Sequence, residues 1–415
     1  MKTGLLCFCI FLAALPVLAE NITVYEGTLG RDMQVVLELT HNSKTGSHTG
    51  RYFYKRYGVD IPLSGTYEQL TEPGGTITKG SSEPGSVWQG KMQGDIYSGV
   101  WKGGKHNRSY RFKLKRIAVY NPDSIKPSSF EAATAAITPG VGSGVAYDVM
   151  ISNECTPYEY RKVNVAMKQG TEVVKGGVAY RMVSDPRTVF AYPRLSRHPN
   201  QAVLQSVNRI LEQRHWQMML NALSCASTAY DEQFHTGSPL GFYDEEDISV
   251  AYLSPTLMTI IESGSTYCGG AHPNNHFNPF TLDLTRGEYL DFNHLFKLTT
   301  AVAADQNDNQ LKRGFSPELM NLIVEAQKTG RYQKQCVEDS DDGGDICLKL
   351  LPDLLSLYFR EPDKLVLGIS GAGHAVGCCN GGLIELSFKS ISSILLPEAG
   401  KYIGVRLKKG GKSSN

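Results

Sequence analysis

The sequence predicts an α+β protein in two parts: an N-terminal all-β antiparallel domain, then an α+β domain built on a mainly antiparallel sheet. Three observations carry that expectation. From residue 21 to about 120, short runs of alternating apolar residues are separated by Gly-rich turns, and helical periodicity is absent. Beyond a stretch rich in Pro, Ser, Ala and Gly, strand and helix patterns follow one another without the regular alternation that a parallel sheet requires. The chain has 415 residues, more than one ordinary hydrophobic core accommodates.

Residues 1–19 read as a secretory leader. Lys2 supplies the basic start, Leu5 to Leu15 the apolar run, and Val17 and Ala19 the small residues before cleavage. The run is shorter than the roughly 20 residues of a spanning helix, so no integral membrane segment is expected after cleavage. Cys7 and Cys9 lie inside the run without the small residues that precede a lipid-modified cysteine. Removing Lys2 from the 42 Lys and Arg leaves 41, equal to the 41 Asp and Glu. A near-neutral chain argues against nucleic acid as a partner. The basic stretch Lys102–Arg116 and the acidic stretch Glu338–Asp345 read as solvated surface.

The β domain is placed at 20–120. Met33, Val35, Leu37 and Leu39 alternate with Gln34, Val36 and Glu38, and Tyr52, Tyr54, Ile61 and Leu63 continue the pattern. Trp88 to Trp101 and Tyr110 to Ile117 complete what reads as an antiparallel sheet or small barrel. A linker at 121–146 contains Pro122, Pro127, Pro139 and Gly140 to Gly144, with one helical turn expected at Ala132–Ile137.

The second domain is placed at 147–405, with a flexible tail at 406–415. Pro199 and Asn200 precede a helix with Val203, Val207, Ile210, Leu211, Met218 and Leu220 near one face. Strands are expected at Ile248–Tyr252, Leu257–Ile261, Phe280–Leu284 and Tyr289–Phe292. Ser316 is a good N-cap, with Pro317 at the first helical position and Gly330 as the stop. Late strands at Leu365–Ile369 and Leu383–Phe388 and a short helix at Ile391–Leu395 close the domain.

Seven cysteines follow the leader: Cys155, Cys225, Cys268, Cys336, Cys347, Cys378 and Cys379. An exported chain would oxidise them, and the odd number leaves one thiol free or paired between molecules. Cys336 and Cys347 are expected to bridge the acidic loop, worth roughly 3 kcal/mol by loop closure. A ring between the adjacent Cys378 and Cys379 is strained, so each should pair elsewhere, with Cys268 the first candidate.

Catalytic and metal motifs fall short. His272 and His276 have the spacing of two helical ligands, but Pro273 and Gly269-Gly270 oppose a helix, leaving a zinc site with Cys268 or His294 as the minor reading. Gly368-Ile369-Ser370-Gly371-Ala372 approaches a nucleophile elbow with His374 nearby, and misses it at Ala372. A calcium-hand reading of the loop from Asp339 fails at Gly343 and at Leu350, where the bidentate Glu belongs. No catalytic residue, metal or cofactor is therefore expected, and the chain reads as a non-enzyme.

The segment Tyr267-Cys268-Gly269-Gly270-Ala271-His272-Pro273-Asn274, with Phe280 to Gly287 after it, resembles a particular exported domain. It is the C-terminal domain of unknown function shared by a lysozyme-binding anti-sigma factor and some peptidoglycan deacetylases. Thr285-Arg286-Gly287-Glu288 and Leu295-Phe296 are similar to that family's later elements. Pro193–Asn208 and Gly373-His374-Ala375 through Leu386 follow it less closely, so the likeness covers about 147–402. The β domain is similar only in style, through Gly50–Tyr54 and Leu63–Gly65, to small periplasmic β domains. No sigma-binding segment, preceding membrane helix or deacetylase domain accompanies the match.

The resemblance implies a binding surface at Tyr267, His272, Asn274, Asn275 and His276. The expected protein is a bacterial periplasmic or secreted envelope protein with a protein partner, inhibiting or sensing a lysozyme-type wall hydrolase. The alternatives are an envelope hydrolase of peptidoglycan or a small ester, built on Ser370 and His374, and a structural accessory module.

Overall fold

A computed structural model describes residues 21–73, 76–77, 81–82, 85–103, 108–122, 155–188, 190–232, 246–268, 273–301, 313–336 and 345–404. The expected leader, most of the linker, the acidic loop and the tail lie outside these residues.

The N-terminal part is a closed antiparallel barrel. Its eight strands are β1 (Ile22–Leu29), β2 (Met33–His41), β3 (His48–Tyr54), β4 (Ile61–Gly65), β5 (Leu70–Thr71), β8 (Val87–Gln93), β9 (Ile96–Gly103) and β10 (Arg108–Tyr120). A separate two-stranded ribbon, β6 (Thr76–Ile77) and β7 (Ser81–Ser82), interrupts the series. Each barrel strand pairs with its neighbour in the chain, and β1 closes on β10 from Ile22↔Tyr120 to Leu29↔Phe112. Closure removes the edges that an open sheet would leave unpaired.

Alternation fills the barrel with large side chains. Tyr25, Leu37, Tyr52, Trp88, Tyr97 and Phe112 belong to one buried cluster. Gly90 makes room for two of these rings, because a Cβ there would lie 2.6 Å from Tyr97 and 2.7 Å from Phe112. The carboxylate of Glu72, 6 % exposed, accepts from the Tyr52 hydroxyl at 2.9 Å and from the Trp88 and Trp101 indoles at 3.2 and 2.8 Å. Three donors thereby share one acceptor.

Val36 is apolar in a position that alternation reserves for a polar residue, and the second part of the chain explains it. With Val24 and Phe53, Val36 meets Tyr158 in a buried cluster on the barrel's outer face. Tyr158 belongs to α1 (Pro157–Val163), whose N-cap Thr156 and Glu159 form a reciprocal capping box. From the same helix the Lys162 ammonium reaches Asp60 at 2.7 Å, and the Tyr158 hydroxyl donates to Asp60 at 2.7 Å. Barrel and second part are thus joined through a buried ion pair and an aromatic contact.

Among the described residues of the second part, every strand pairing is antiparallel. Its first sheet is β11 (Lys168–Lys175), β12 (Val178–Ser184) and β13 (Ala191–Arg197). Helix α2 (Gln201–Glu232) leads to the sheet of β14 (Asp247–Leu253), β15 (Leu257–Thr266), β16 (Asn274–Asp283) and β17 (Glu288–Tyr289). The ribbon of β18 (Thr299–Ala301) and β19 (Arg313–Phe315) precedes helices α3 (Pro317–Lys328) and α4 (Ile346–Leu354). The last sheet is β20 (Leu355–Arg360), β21 (Lys364–Ile369) and β22 (Gly381–Ser387), and α5 (Ala399–Ile403) ends the described chain.

Two cores result. Val203, Val207 and Leu211 of α2 bury against Tyr192 and Leu195 of β13 and Ile260 and Leu282 of the second sheet. Leu319 and Ile323 of α3, Leu351 of α4, and Leu357, Leu367 and Ile384 of the last sheet form the other. Between α2 and the second sheet, Arg214 pairs with Glu262, its Nε 2.8 Å from Oε1, with both side chains almost fully buried.

Ser316 caps α3 by accepting the Leu319 N–H at 3.1 Å, and Gly330 after its end has φ 69°, as the sequence predicts. Two expectations need correction. Ile391–Leu395 forms turns and a single bridge to Phe296 instead of a helix, because the Ile394 carbonyl and the Leu396 N–H pair with the backbone of Lys297 and Leu295. The strand expected at Tyr289–Phe292 stops at Tyr289, where Asp291 caps a 3₁₀ turn over Phe292–His294.

Candidate binding surface

The expected binding loop is the connection of the β15–β16 hairpin. The register runs Gly264↔His276, Ser265↔Asn275 and Thr266↔Asn274, and Tyr267, Cys268 and Pro273 are the described residues beyond it. Pro273, Asn274 and Asn275 are exposed, and Tyr267 and His276 are half-buried. His272, with Gly269, Gly270 and Ala271, lies outside the described residues.

Two attachments hold this tip. Cys268 is disulfide-bonded to Cys225 of α2, a residue only 2 % exposed. On the other arm, the Asn275 carbonyl accepts from Asn380 Nδ2 at 3.3 Å. The same Asn380 amide accepts the Ala372 N–H at 2.9 Å and donates to the Ala372 carbonyl at 3.1 Å. The hairpin tip and the 3₁₀ segment His374–Cys379 are thereby held beside each other.

That segment is itself riveted. Cys336 pairs with Cys378 and Cys347 with Cys379, correcting the expected Cys336–Cys347 bridge. Cys268 joins Cys225, correcting its expected pairing with Cys378 or Cys379. The physical reason is that the end of β15 abuts α2, while the adjacent cysteines of the 3₁₀ segment meet α4 and the residue before the acidic loop. The sulfurs of Cys336 and Cys347 still approach to 3.4 Å. The expectation that the adjacent pair would bond to two separate partners agrees with the structure. Cys155 is the one free cysteine among the described residues, its thiol pushed up to about 12 by burial, reinforced by Glu159 and Glu212.

Beneath the tip, His276 Nε2 lies 3.0 Å from Glu246 Oε1. Burial raises the Glu246 carboxyl above its usual range, and His276 opposes that shift. Glu246 Oε2 has no partner among the described residues. The pair places a proton-sharing contact under an exposed loop, and sequence reading missed Glu246 because its partner is 30 positions away.

The zinc reading loses the Cys268 sulfur, which is bonded to Cys225. Ser370 is completely buried and donates to the Asn278 amide oxygen at 3.2 Å, a group that cannot serve as a general base. The His374 side chain lies outside the described residues.

No family model and no curated protein matches this chain. What the geometry defines by itself is a closed barrel fused to an antiparallel α+β part that presents a doubly anchored hairpin tip.

Proposed function

We propose that this chain is an exported envelope protein that binds a protein partner through the 267–276 hairpin tip and the adjoining 374–380 turn. The observation that carries the reading is the double anchoring of an exposed tip, by Cys225–Cys268 on one arm and Asn380 on the other. A tip held before binding loses less conformational freedom on association, which is what a recognition loop requires. Three disulfides among the described residues support an oxidising compartment, and the leader-like start supports export. The Gly269-Gly270-Ala271-His272-Pro273 resemblance favours a lysozyme-type wall hydrolase as the partner.

Titration calorimetry of the oxidised mature protein against lysozyme, with a parallel wall-lysis assay, tests the proposal. The expected result is saturable binding with loss of lysis. An N274A/N275A variant that unfolds like the parent should bind at least about tenfold more weakly, a loss of about 1.4 kcal/mol. Failure to bind lysozyme would remove that partner, and unchanged binding by the variant would remove the tip as the surface.

A further inference from the structure

Away from the hairpin tip, the end of α1, the sheet β11–β13 and the flank of α2 line an open pocket of about 340 Å³. Val183, Leu195 and Trp216 form part of its apolar wall, and Arg181, Arg194 and Glu212 also line it. Arg181 and Arg194 are directly opposite each other in the β12–β13 register. Like charges in that relation repel and weaken a strand pair, so the placement calls for compensation.

The protein supplies only part of it. Arg194 donates to the Pro193 and Leu211 carbonyls at 2.9 and 3.2 Å and contacts His215 Nδ1 at 3.1 Å. Its guanidinium also lies 5.8 Å from the Tyr192 ring centre. All of these partners are neutral, and no carboxylate among the described residues comes within ion-pairing distance of Arg194. Burial, opposed by the more distant Glu212 and by Tyr192, pushes its pKa down to about 10. Arg181 meets Glu172 at 3.3 Å, but that carboxylate is shared with Arg197 at 3.0 Å. The Arg181 Nε–H is buried without a partner among the described residues, and such a donor is costly to leave unmade.

Charge and size then restrict the occupant. Arg181, Arg194 and Arg197 stand against Glu172 and Glu212, leaving one positive charge. A single negative charge balances it, whereas a phosphate dianion exceeds it. The volume lies at the small end of ligand pockets, too small for a protein segment and suited to a compact molecule. Guanidinium groups present paired N–H donors that match a carboxylate, and the apolar wall suits a hydrocarbon body.

We infer that this pocket binds a small monocarboxylate carried on an apolar body, with the carboxylate between Arg181 and Arg194 and the body against Trp216. The site is separate from the proposed protein-binding tip, and its occupancy does not depend on that reading.

The test is calorimetric titration of the oxidised full-length mature protein with phenylacetate, 3-methylbutanoate, neutral phenylacetamide and inorganic phosphate. Phenylacetate or 3-methylbutanoate should bind saturably at one molecule per chain below about 1 mM. Phenylacetamide and phosphate should each bind at least about tenfold more weakly. R194M should lose binding by a similar factor. R181Q, at a half-exposed position that tolerates change, should weaken it severalfold and keeps the test decisive if R194M fails to fold. Absence of saturable carboxylate binding, equal binding of phenylacetamide, or equal binding of phosphate would each overturn the assignment. Binding undiminished in R181Q would place the carboxylate elsewhere and overturn it equally.

Discussion

Asn208 completes the backbone hydrogen bonding of Leu195: its Oδ1 accepts the Leu195 N–H at 2.8 Å, and its Nδ2 donates to the Leu195 carbonyl at 2.9 Å. One side chain of α2 thus acts on β13 as a neighbouring strand would.

Replacing this amide with a methyl leaves both Leu195 backbone groups unpaired beside a buried core residue. Asn208→Ala should therefore lower stability by roughly 2 kcal/mol. Asn208→Asp keeps the acceptor but sets a carboxylate oxygen against the Leu195 carbonyl, so near neutral pH it should lose at least as much. Denaturant midpoints of the three proteins check the order.

Among the described residues, Asp60 is the one carboxylate in contact with the Lys162 ammonium, which is 3 % exposed. Asp60→Ala strands that charge and deprives Tyr158 of its acceptor, for an expected loss of about 3–5 kcal/mol near neutral pH. Burial already lowers the Lys162 pKa and Asp60 opposes that shift, so the variant should lower it further. A lysine depressed in the folded state costs stability where it is charged, and the cost shrinks as pH rises toward its unfolded value. The Asp60→Ala defect should accordingly be smaller at pH 9.5 than at pH 7 by about 1 kcal/mol or more, measured by urea unfolding at both.

His215 follows the same sign of linkage, but in acid. Burial first, and the Arg194 guanidinium second, push its pKa down to about 3 from 6.5. Below the unfolded value the unfolded chain takes a proton that the folded chain refuses. The stability of the neutral ring is thus present above pH 6.5 and is lost as pH falls toward 3, by at most about 1.4 kcal/mol per pH unit. His215→Leu lacks this term. The stability difference between parent and variant should narrow or reverse between pH 7 and pH 4.

Cys155 should be a poor nucleophile while the protein is folded. With its thiol pushed up to about 12, iodoacetamide at pH 8 should label it slowly in the native state and rapidly in denaturant. Mass spectrometry of unreduced digests should also find Cys225–Cys268 in one species and Cys336, Cys347, Cys378 and Cys379 together in another. Rapid native labelling would show that the thiol is not buried as described.

The barrel was legible because its strands pair with their neighbours in the chain, so alternation such as Val35, Leu37 and Leu39 reports burial directly. Val36 was the visible irregularity, and it marked the face that Tyr158 covers. The sheet β11–β13 was not legible, since β11 is largely exposed along its length and shows no apolar stripe. Ile391–Leu395 misled because a turn can bury two isoleucines without forming a helix. In the candidate surface, Asn274 and Asn275 came to notice through the resemblance, and both are exposed. Cys225 and Asn380, which hold the hairpin tip, were not legible, because both act across distant chain segments.

The crossed pairing of Cys336 and Cys347 with Cys378 and Cys379 has a consequence for biogenesis. Under the proposal that the chain is exported, the first two of these four thiols, 11 positions apart, emerge before either final partner. Within this quartet their mutual bond is the first that an oxidant can make, and it is absent from the finished protein. Maturation should therefore need partner exchange, so refolding yield from the reduced chain should rise when a disulfide isomerase accompanies the glutathione buffer. A protein of this design is safest where such shuffling is catalysed, and vulnerable where oxidation outruns correction.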